Sequence, residues 1–347
     1  MRILYVGDLW FAGTCLQRME AMRELGNDVV PVDTLPENVH KKQNQLFYRA
    51  IGKLFGPFDL AGVNQKIIEL KKEKDIHLLW IDKGLTIRAE ILMQIHQLGP
   101  KTIVAGYSPD DMAAKHNQSR NFLKGLPYYN IYFTTKSYNV KELKDLGCPL
   151  VFFVGNAYDP KTHSPIDVTE GDRIKYGGSV GFIGGYERER AESMLYLAEN
   201  GISIRVWGPN WSRKIQVSHP NLKIEGKPLR GEEYVKAICS FDINLAFLRK
   251  INRDLQTTRS IEIPACSAFM LAERTNEHLE LFEEGKEAEF FETKEELFEK
   301  VRYYLNHDEE RKNIAKAGRE RCLKSGYSNH KRIEIMLGLI EDLRGKN

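Results

Sequence analysis

The chain has 347 residues, is 42% hydrophobic and 29% charged, and carries a formal net charge of +3. That length suits two domains of ~100–200 residues each, and a balance so near neutrality lacks the basic stripe that marks nucleic-acid binding. The opening run Met1–Val6 is too short for a signal-peptide core or a membrane span, so a cytoplasmic protein with no transmembrane segment is expected. Five scattered cysteines (Cys15, Cys148, Cys239, Cys266, Cys322), none in C-x-x-C spacing, read as reduced residues. Without an H-E-x-x-H pairing or a D-x-D triplet, no metal and no cofactor is expected.

Arg2–Val6 reads as a buried strand that enters a glycine-containing turn, Gly7 to Gly13. A helix follows with Leu16, Met19, Met22 and Leu25 on one face, Gly26-Asn27 stops it, and Val29–Val32 is the next strand. Strand, glycine turn, helix, strand is the opening of a parallel, doubly wound α/β sheet. Residues 40–60 place Phe47, Ile51, Leu54, Phe55 and Phe58 at helical spacing, with Lys41, Lys42, Arg49 and Lys53 between them. Such a helix either covers the first sheet or, being basic and amphipathic, lies on a membrane surface or an acceptor groove. Further strands are expected at 77–81, 102–105, 131–134 and 150–154, and helices near 63–73, 88–97 and 137–146.

The stretch 156–165, with Pro160 and Pro165 among polar residues, suits an exposed connector. The same opening then recurs: Val180–Ile183 runs into Gly184-Gly185, a helix with Ala191, Met194, Leu195 and Ala198 follows, and Ile202–Trp207 is a strand. The expected organisation is an amino-terminal Rossmann-like domain over 1–160, a second over 161–325, and a terminal helix at 326–347 that can pack back on the first domain.

Two facing domains of this kind leave an interdomain cleft at the carboxyl ends of their strands, where open sheets bind ligands. Gly184-Gly185 lets backbone approach a ligand, and the following helix start, with Arg188 and Arg190, offers amides and cations to a diphosphate. The full G-x-G-x-x-G of nicotinamide and flavin enzymes is absent. In the run Asp254–Leu271 a polar loop enters a short helix: Thr257 or Thr258 would cap it, Arg259 could hold phosphate bidentately, and Glu262 could accept ribose hydroxyls.

That run, T-R-S-I-E-I-P-A-C-S-A-F-M-L followed by E-H-L-E-L-F-E-E-G-K-E-A-E-F-F, resembles the carboxyl-terminal domain of the CgeB-like spore-maturation glycosyltransferases. V-G-F-I-G-G-Y-E-R-E-R, R-V-W-G-P-N-W and N-A-Y-D-P-K-T-H-S-P extend the likeness. The resemblance implies the two-domain GT-B fold, a donor bound without a divalent metal, and a diphosphate lined by Gly184, Gly185, Thr258 and Arg259. It places the Trp207-Gly208 to Trp211 loop near the base and gives Glu262 the ribose. Asp254 stands where related retaining enzymes carry the first Glu of a Glu-x7-Glu motif.

On the acceptor side, Asp8, Trp10 and Gly13 follow the first strand, Lys83 ends another, and Asp110-Asp111 ends a third. A carboxylate beside a carboxylate can serve as a base, making Asp110 or Asp111 the catalytic candidate, unless each caps the helix that follows. The expected partners are a nucleotide-diphosphate sugar, such as a UDP-sugar, and a hydroxyl acceptor, with no nucleic acid. The expected reaction is metal-independent glycosyl transfer; an epimerase or hydrolase of the same fold and a non-catalytic nucleotide-sugar-binding module are the alternatives.

Overall fold

Short apolar runs rich in Ile, Leu, Val and aromatics, buried on both faces, are the signature of parallel strands covered by helices. The computed structural model, which describes residues 1–43, 45, 47, 48, 52, 56–214 and 218–346, shows twelve such strands among them, in two sheets. The chain divides into two compact units, Met1–Gly155 with Asn329–Asn347, and Asn156–Ser328.

In the first unit β1 (Arg2–Gly7), β2 (Asp28–Asp33), β3 (Leu78–Asp82), β4 (Ile103–Ser108), β5 (Ile131–Thr134) and β6 (Val151–Phe153) lie in the order β2-β1-β3-β4-β5-β6. Every pairing is parallel. Pro31 is tolerated because β2 is an edge strand with one side free of pairing. One face carries an aromatic row: Trp80 stacks on Tyr5, Tyr107 and Phe133 at centroid distances of 6.3, 5.9 and 5.8 Å. The helices Thr14–Glu24 and Asn329–Lys346 cover it, the latter through Ile333, Met336, Leu337 and Ile340. The opposite face buries Leu4, Val6, Leu79 and Ile81 under the helices Val63–Glu73 and Ala89–Leu98.

In the second unit β7 (Gly178–Ile183), β8 (Ile204–Trp207), β9 (Leu222–Ile224), β10 (Phe241–Ala246), β11 (Met270–Glu273) and β12 (Glu289–Phe291) run β12-β11-β10-β7-β8-β9, again all parallel. The strand order reverses between β7 and β10, and a crevice opens at the carboxyl ends of the two strands flanking such a reversal. In the first sheet the reversal lies between β1 and β3.

The connector is exposed only in part: Pro160, Lys161 and Pro165 are at the surface. Asn156, Tyr158, Asp159 and His163 are buried, the Tyr158 N–H donates to the Tyr327 carbonyl, and Gln256 accepts from both the backbone and the side-chain amide of Asn156. The buried part finds protein partners for its polar atoms, while both prolines stay in water. Of the basic stretch at 40–60, Arg49, Ile51, Lys53, Leu54 and Phe55 lie outside the described residues. Among the described residues no helix is long and apolar enough to cross a membrane.

Candidate functional site

At the reversal of the second sheet, β7 ends in a turn fixed by its neighbours. The Gly184 N–H donates to the Trp207 carbonyl at 2.8 Å, and the Gly184 carbonyl accepts from Trp211 Nε1 at 2.8 Å. At Gly208 φ is +151°, and a Cβ would sit 1.9 Å from the Gly184 oxygen, so only glycine fits. Gly185 differs: a Cβ there would meet nothing closer than Pro209 Cγ at 4.0 Å. Packing does not demand glycine at 185, and its bare backbone borders open space.

Two arginines stand over this turn. Arg188 is exposed and pairs with Glu192 one helical turn on, whereas Arg190, on the same helix Arg188–Glu199, is turned inward and only 2% exposed. Its Nη1 donates to the Gly185 carbonyl at 3.1 Å and its Nη2 to the Phe247 carbonyl at 3.5 Å, tying the turn after β7 to the one after β10. Its carboxylate neighbour Glu187 is 3.8 Å away and also faces Arg249 at 3.3 Å. Arg259 shares the Phe182 ring with Arg190: their guanidinium carbons lie 5.9 and 5.6 Å from its centroid. The Arg259 guanidinium makes no hydrogen bond or ion pair among the described residues, and the Nε of each arginine is buried and unpartnered. Burial, and then the charge of Arg259, hold the Arg190 pKa down at about 10. A buried guanidinium whose nearest carboxylate, Glu187, is 3.8 Å away, beside a second, partly buried one with no ion pair among the described residues, is a setting in which a bound phosphate gains charge-assisted hydrogen bonds.

Glu262, one turn beyond Arg259, is 6% exposed. Its Oε2 accepts the Tyr234 hydroxyl at 2.6 Å, and its Oε1 faces His163 Nε2 at 3.8 Å. His163 Nδ1 accepts the Asp159 N–H at 3.0 Å, which leaves the ring proton on Nε2, toward the carboxylate. Desolvation, reinforced by the Glu262 charge, drives the Tyr234 pKa well above its ordinary value. Thr258 does not act as a side-chain cap. Instead Ser260 Oγ accepts the Thr257 N–H at 3.0 Å and lies 2.7 Å from His278 Nε2. Asp254 is buried, and its Oδ2 accepts the Arg249 N–H at 3.3 Å, closing its own loop. Trp207 is a core residue: it is 2% exposed and its Nε1 donates to the Tyr176 carbonyl at 3.1 Å.

In the first unit Asp111 is fully buried, its Oδ1 accepting Asn139 Nδ2 at 2.8 Å and the Ala114 N–H at 3.2 Å. These partners hold the carboxylate inside the fold. Asp110 is half-buried and pairs with Lys83 Nζ at 2.6 Å. Lys83 sits at φ +66°, a left-handed conformation costing a non-glycine residue roughly 1 kcal/mol, with its N–H on the Tyr107 carbonyl at 2.7 Å. Asp8 Oδ1 accepts the Trp10 N–H at 3.2 Å, Trp10 is exposed with its ring against His40, and the Gly13 N–H donates to the Trp10 carbonyl at 2.9 Å. Asp8, Trp10 and Gly13 thus form one loop at the end of β1.

Residues 188–338 match a family model described as glycosyl transferase-like. The match holds Arg190, Trp207, Gly208, Tyr234, Thr258, Arg259 and Glu262. No curated protein matches the chain. Among solved structures, sucrose-phosphate synthase from Thermosynechococcus elongatus is similar over 100% of both chains, with a TM-score of 0.68 at 11% identity. HepE of Anabaena in complex with UDP and glucose is similar over 99% of this chain and 100% of its own, with a TM-score of 0.64 at 12% identity. A glycosyltransferase from Rickettsia africae is similar over 98% of each, with a TM-score of 0.64 at 12% identity. The fold is α/β and of the GT-B type, with two Rossmann-like units.

Tyr234, His163 and the Phe182 ring escape sequence reasoning. Tyr234 lies 28 positions before Glu262, and no periodicity links the two. The one signal for His163 is the D-P-K-T-H run, where Asp159 Oδ2 accepts the Thr162 N–H at 3.1 Å and hydroxyl at 2.6 Å in a side-chain-closed turn that delivers the imidazole.

Proposed function

We propose that the chain is a glycosyltransferase that binds a nucleotide-diphosphate sugar in its carboxyl-terminal unit and transfers the sugar, a hexosyl group, to a hydroxyl acceptor. The observation that carries this is the Arg259 guanidinium, without a hydrogen bond or ion pair among the described residues and set beside the buried Arg190. A diphosphate there would accept from both, each charge-assisted hydrogen bond being worth roughly 1.5–3 kcal/mol. Gly185 leaves room for its oxygens, and the reversal between β7 and β10 is where open sheets take such ligands.

In the reaction the bond from the anomeric carbon to the diphosphate oxygen breaks as the acceptor oxygen bonds to that carbon and gives up its proton. Negative charge grows on the departing diphosphate, where fixed guanidinium donors stabilise it without reorganising. They supply what a divalent cation supplies elsewhere, so transfer is proposed to need no metal. Glu262 Oε1, which accepts no hydrogen bond among the described residues, is available to ribose hydroxyls while Tyr234 holds Oε2. The glycosyl transferase-like match over 188–338 supports this reading, and the motif resemblance is the ground for proposing the CgeB-like branch.

Incubation with a panel of nucleotide-sugars, with and without simple hydroxyl acceptors, tests the assignment. Acceptor-dependent release of the nucleoside diphosphate is expected, with slow hydrolysis of donor alone. Inversion of the free sugar nucleotide with no acceptor would instead establish the epimerase alternative, and no binding of any nucleotide-sugar would remove the proposal.

A further inference from the structure

At the opposite, amino-terminal end of the second sheet, a cavity of about 420 Å³ is walled by the starts of β10 and β11 and by two cysteines, Cys239 and Cys266. Cys239 Sγ donates to the Cys266 carbonyl at 3.8 Å, and both residues line the same cavity. Cys239 is half-buried on the cavity wall, whereas Cys266 is 2% exposed behind it. The Cys266 side chain pulls the Cys239 pKa below its ordinary value, and the Cys239 side chain, with burial, pushes that of Cys266 up. An accessible thiol of lowered pKa beside a shielded one is the arrangement of an attacking and a resolving cysteine. Arg173, Arg311 and Lys312 line the cavity against Asp242 and Asp308, a net cationic wall.

We infer that Cys239 and Cys266 form a thiol–disulfide exchange site that accepts a small anionic disulfide from this cavity. The Cys239 thiolate attacks one sulfur of the small disulfide, giving a mixed disulfide and releasing the first small thiolate, which takes up the proton Cys239 lost. Cys266 then gives up its proton and attacks Cys239 Sγ, releasing the second small thiol. Two protein thiols are oxidised and one small disulfide is reduced.

The pair lies on the elements that carry the donor residues. Cys239 is on the helix Gly231–Ser240 with Tyr234, and Cys266 follows the helix Arg259–Ala265 with Arg259 and Glu262. The Tyr234–Glu262 bond joins these helices at one end, and the bond from the Cys239 thiol to the Cys266 carbonyl joins them at the other. Closing the sulfurs to the ~2.05 Å of a disulfide draws the second helix toward the first, and so moves Arg259; this consequence rests on the donor reading above.

The test treats the reduced full-length chain with oxidised glutathione and maps cysteines by mass spectrometry. A Cys239–Cys266 cross-link is expected, with the glutathione adduct trapped on Cys239 in Cys266→Ser and no adduct on Cys266 in Cys239→Ser. An unmodified Cys239, or reaction confined to the other cysteines, overturns the exchange site. Calorimetry with UDP is expected to show about tenfold weaker binding after cross-linking, reversed by dithiothreitol; equal affinity in fully cross-linked protein overturns the coupling. If the reduced chain binds no nucleoside diphosphate, the donor reading fails, and the mass measurement alone decides the exchange site.

Discussion

Among single residues, His278 shows how tightly the loop that presents Arg259 is built. Burial holds its pKa at about 4 against an ordinary 6.5, and it stays neutral between Ser260 and the Glu273 carbonyl. From pH 6.5 to 4 the unfolded chain binds the proton and the folded one does not, so stability falls as pH falls through that window, by about 3 kcal/mol in all. Chemical unfolding of wild type and His278→Gln across that range should show a shallower acid loss in the variant; parallel curves would contradict the neutral, buried assignment. Tyr234→Phe removes the one hydroxyl bound to Glu262 Oε2, leaving a buried carboxylate short of a donor. A loss of about 1–3 kcal/mol in stability is expected, and an unchanged unfolding midpoint would mean that water replaces the hydroxyl.

At the scale of elements, the two glycines around the turn after β7 separate a requirement of the fold from one of the ligand. Gly208→Ala drives a Cβ to 1.9 Å from the Gly184 oxygen at φ +151°, and should cost on the order of 3 kcal/mol or prevent folding. Gly185→Ala meets only Pro209 Cγ, at an ordinary 4.0 Å, so stability should stay within about 0.5 kcal/mol while nucleotide affinity falls. Equal melting temperatures for the two variants would sink the distinction. These turns were legible in the sequence because strand, glycine, helix is a local pattern, and the central parallel strands were legible because burial on both faces makes them continuous apolar runs. The edge strands β9 and β12 were not: each is three residues set among charged ones, Lys223 and Glu225 at one and Glu287, Glu289 and Glu292 at the other, whereas the equally short β6 stands in the continuous apolar run 150–154. Nor could spacing tell Trp207 in the core from a Trp on a binding loop, or the inward Arg190 from the solvated Arg188; those depend on which way a helix face turns.

For the whole molecule, two Rossmann-like units and a glycosyl transferase-like match support the proposal of nucleotide-sugar chemistry at the β7–β10 reversal. The acceptor half was legible only as positions at strand ends, and the structure shows why: Asp111 is committed to Asn139 and Asp110 to Lys83, partners 28 and 27 residues away that no motif announces. If paired guanidinium groups do the work of a cation, turnover should be unchanged by excess chelator, measured as nucleoside diphosphate released; loss restored by a divalent ion would reverse that view. The most direct test of the donor seat is calorimetric titration of UDP into wild type and Arg259→Ala, with folding of both confirmed by circular dichroism. Removing an unpartnered, partly buried guanidinium should weaken binding by about 1.5–3 kcal/mol, roughly ten- to a hundredfold; affinity equal to wild type would contradict a diphosphate at Arg190 and Arg259.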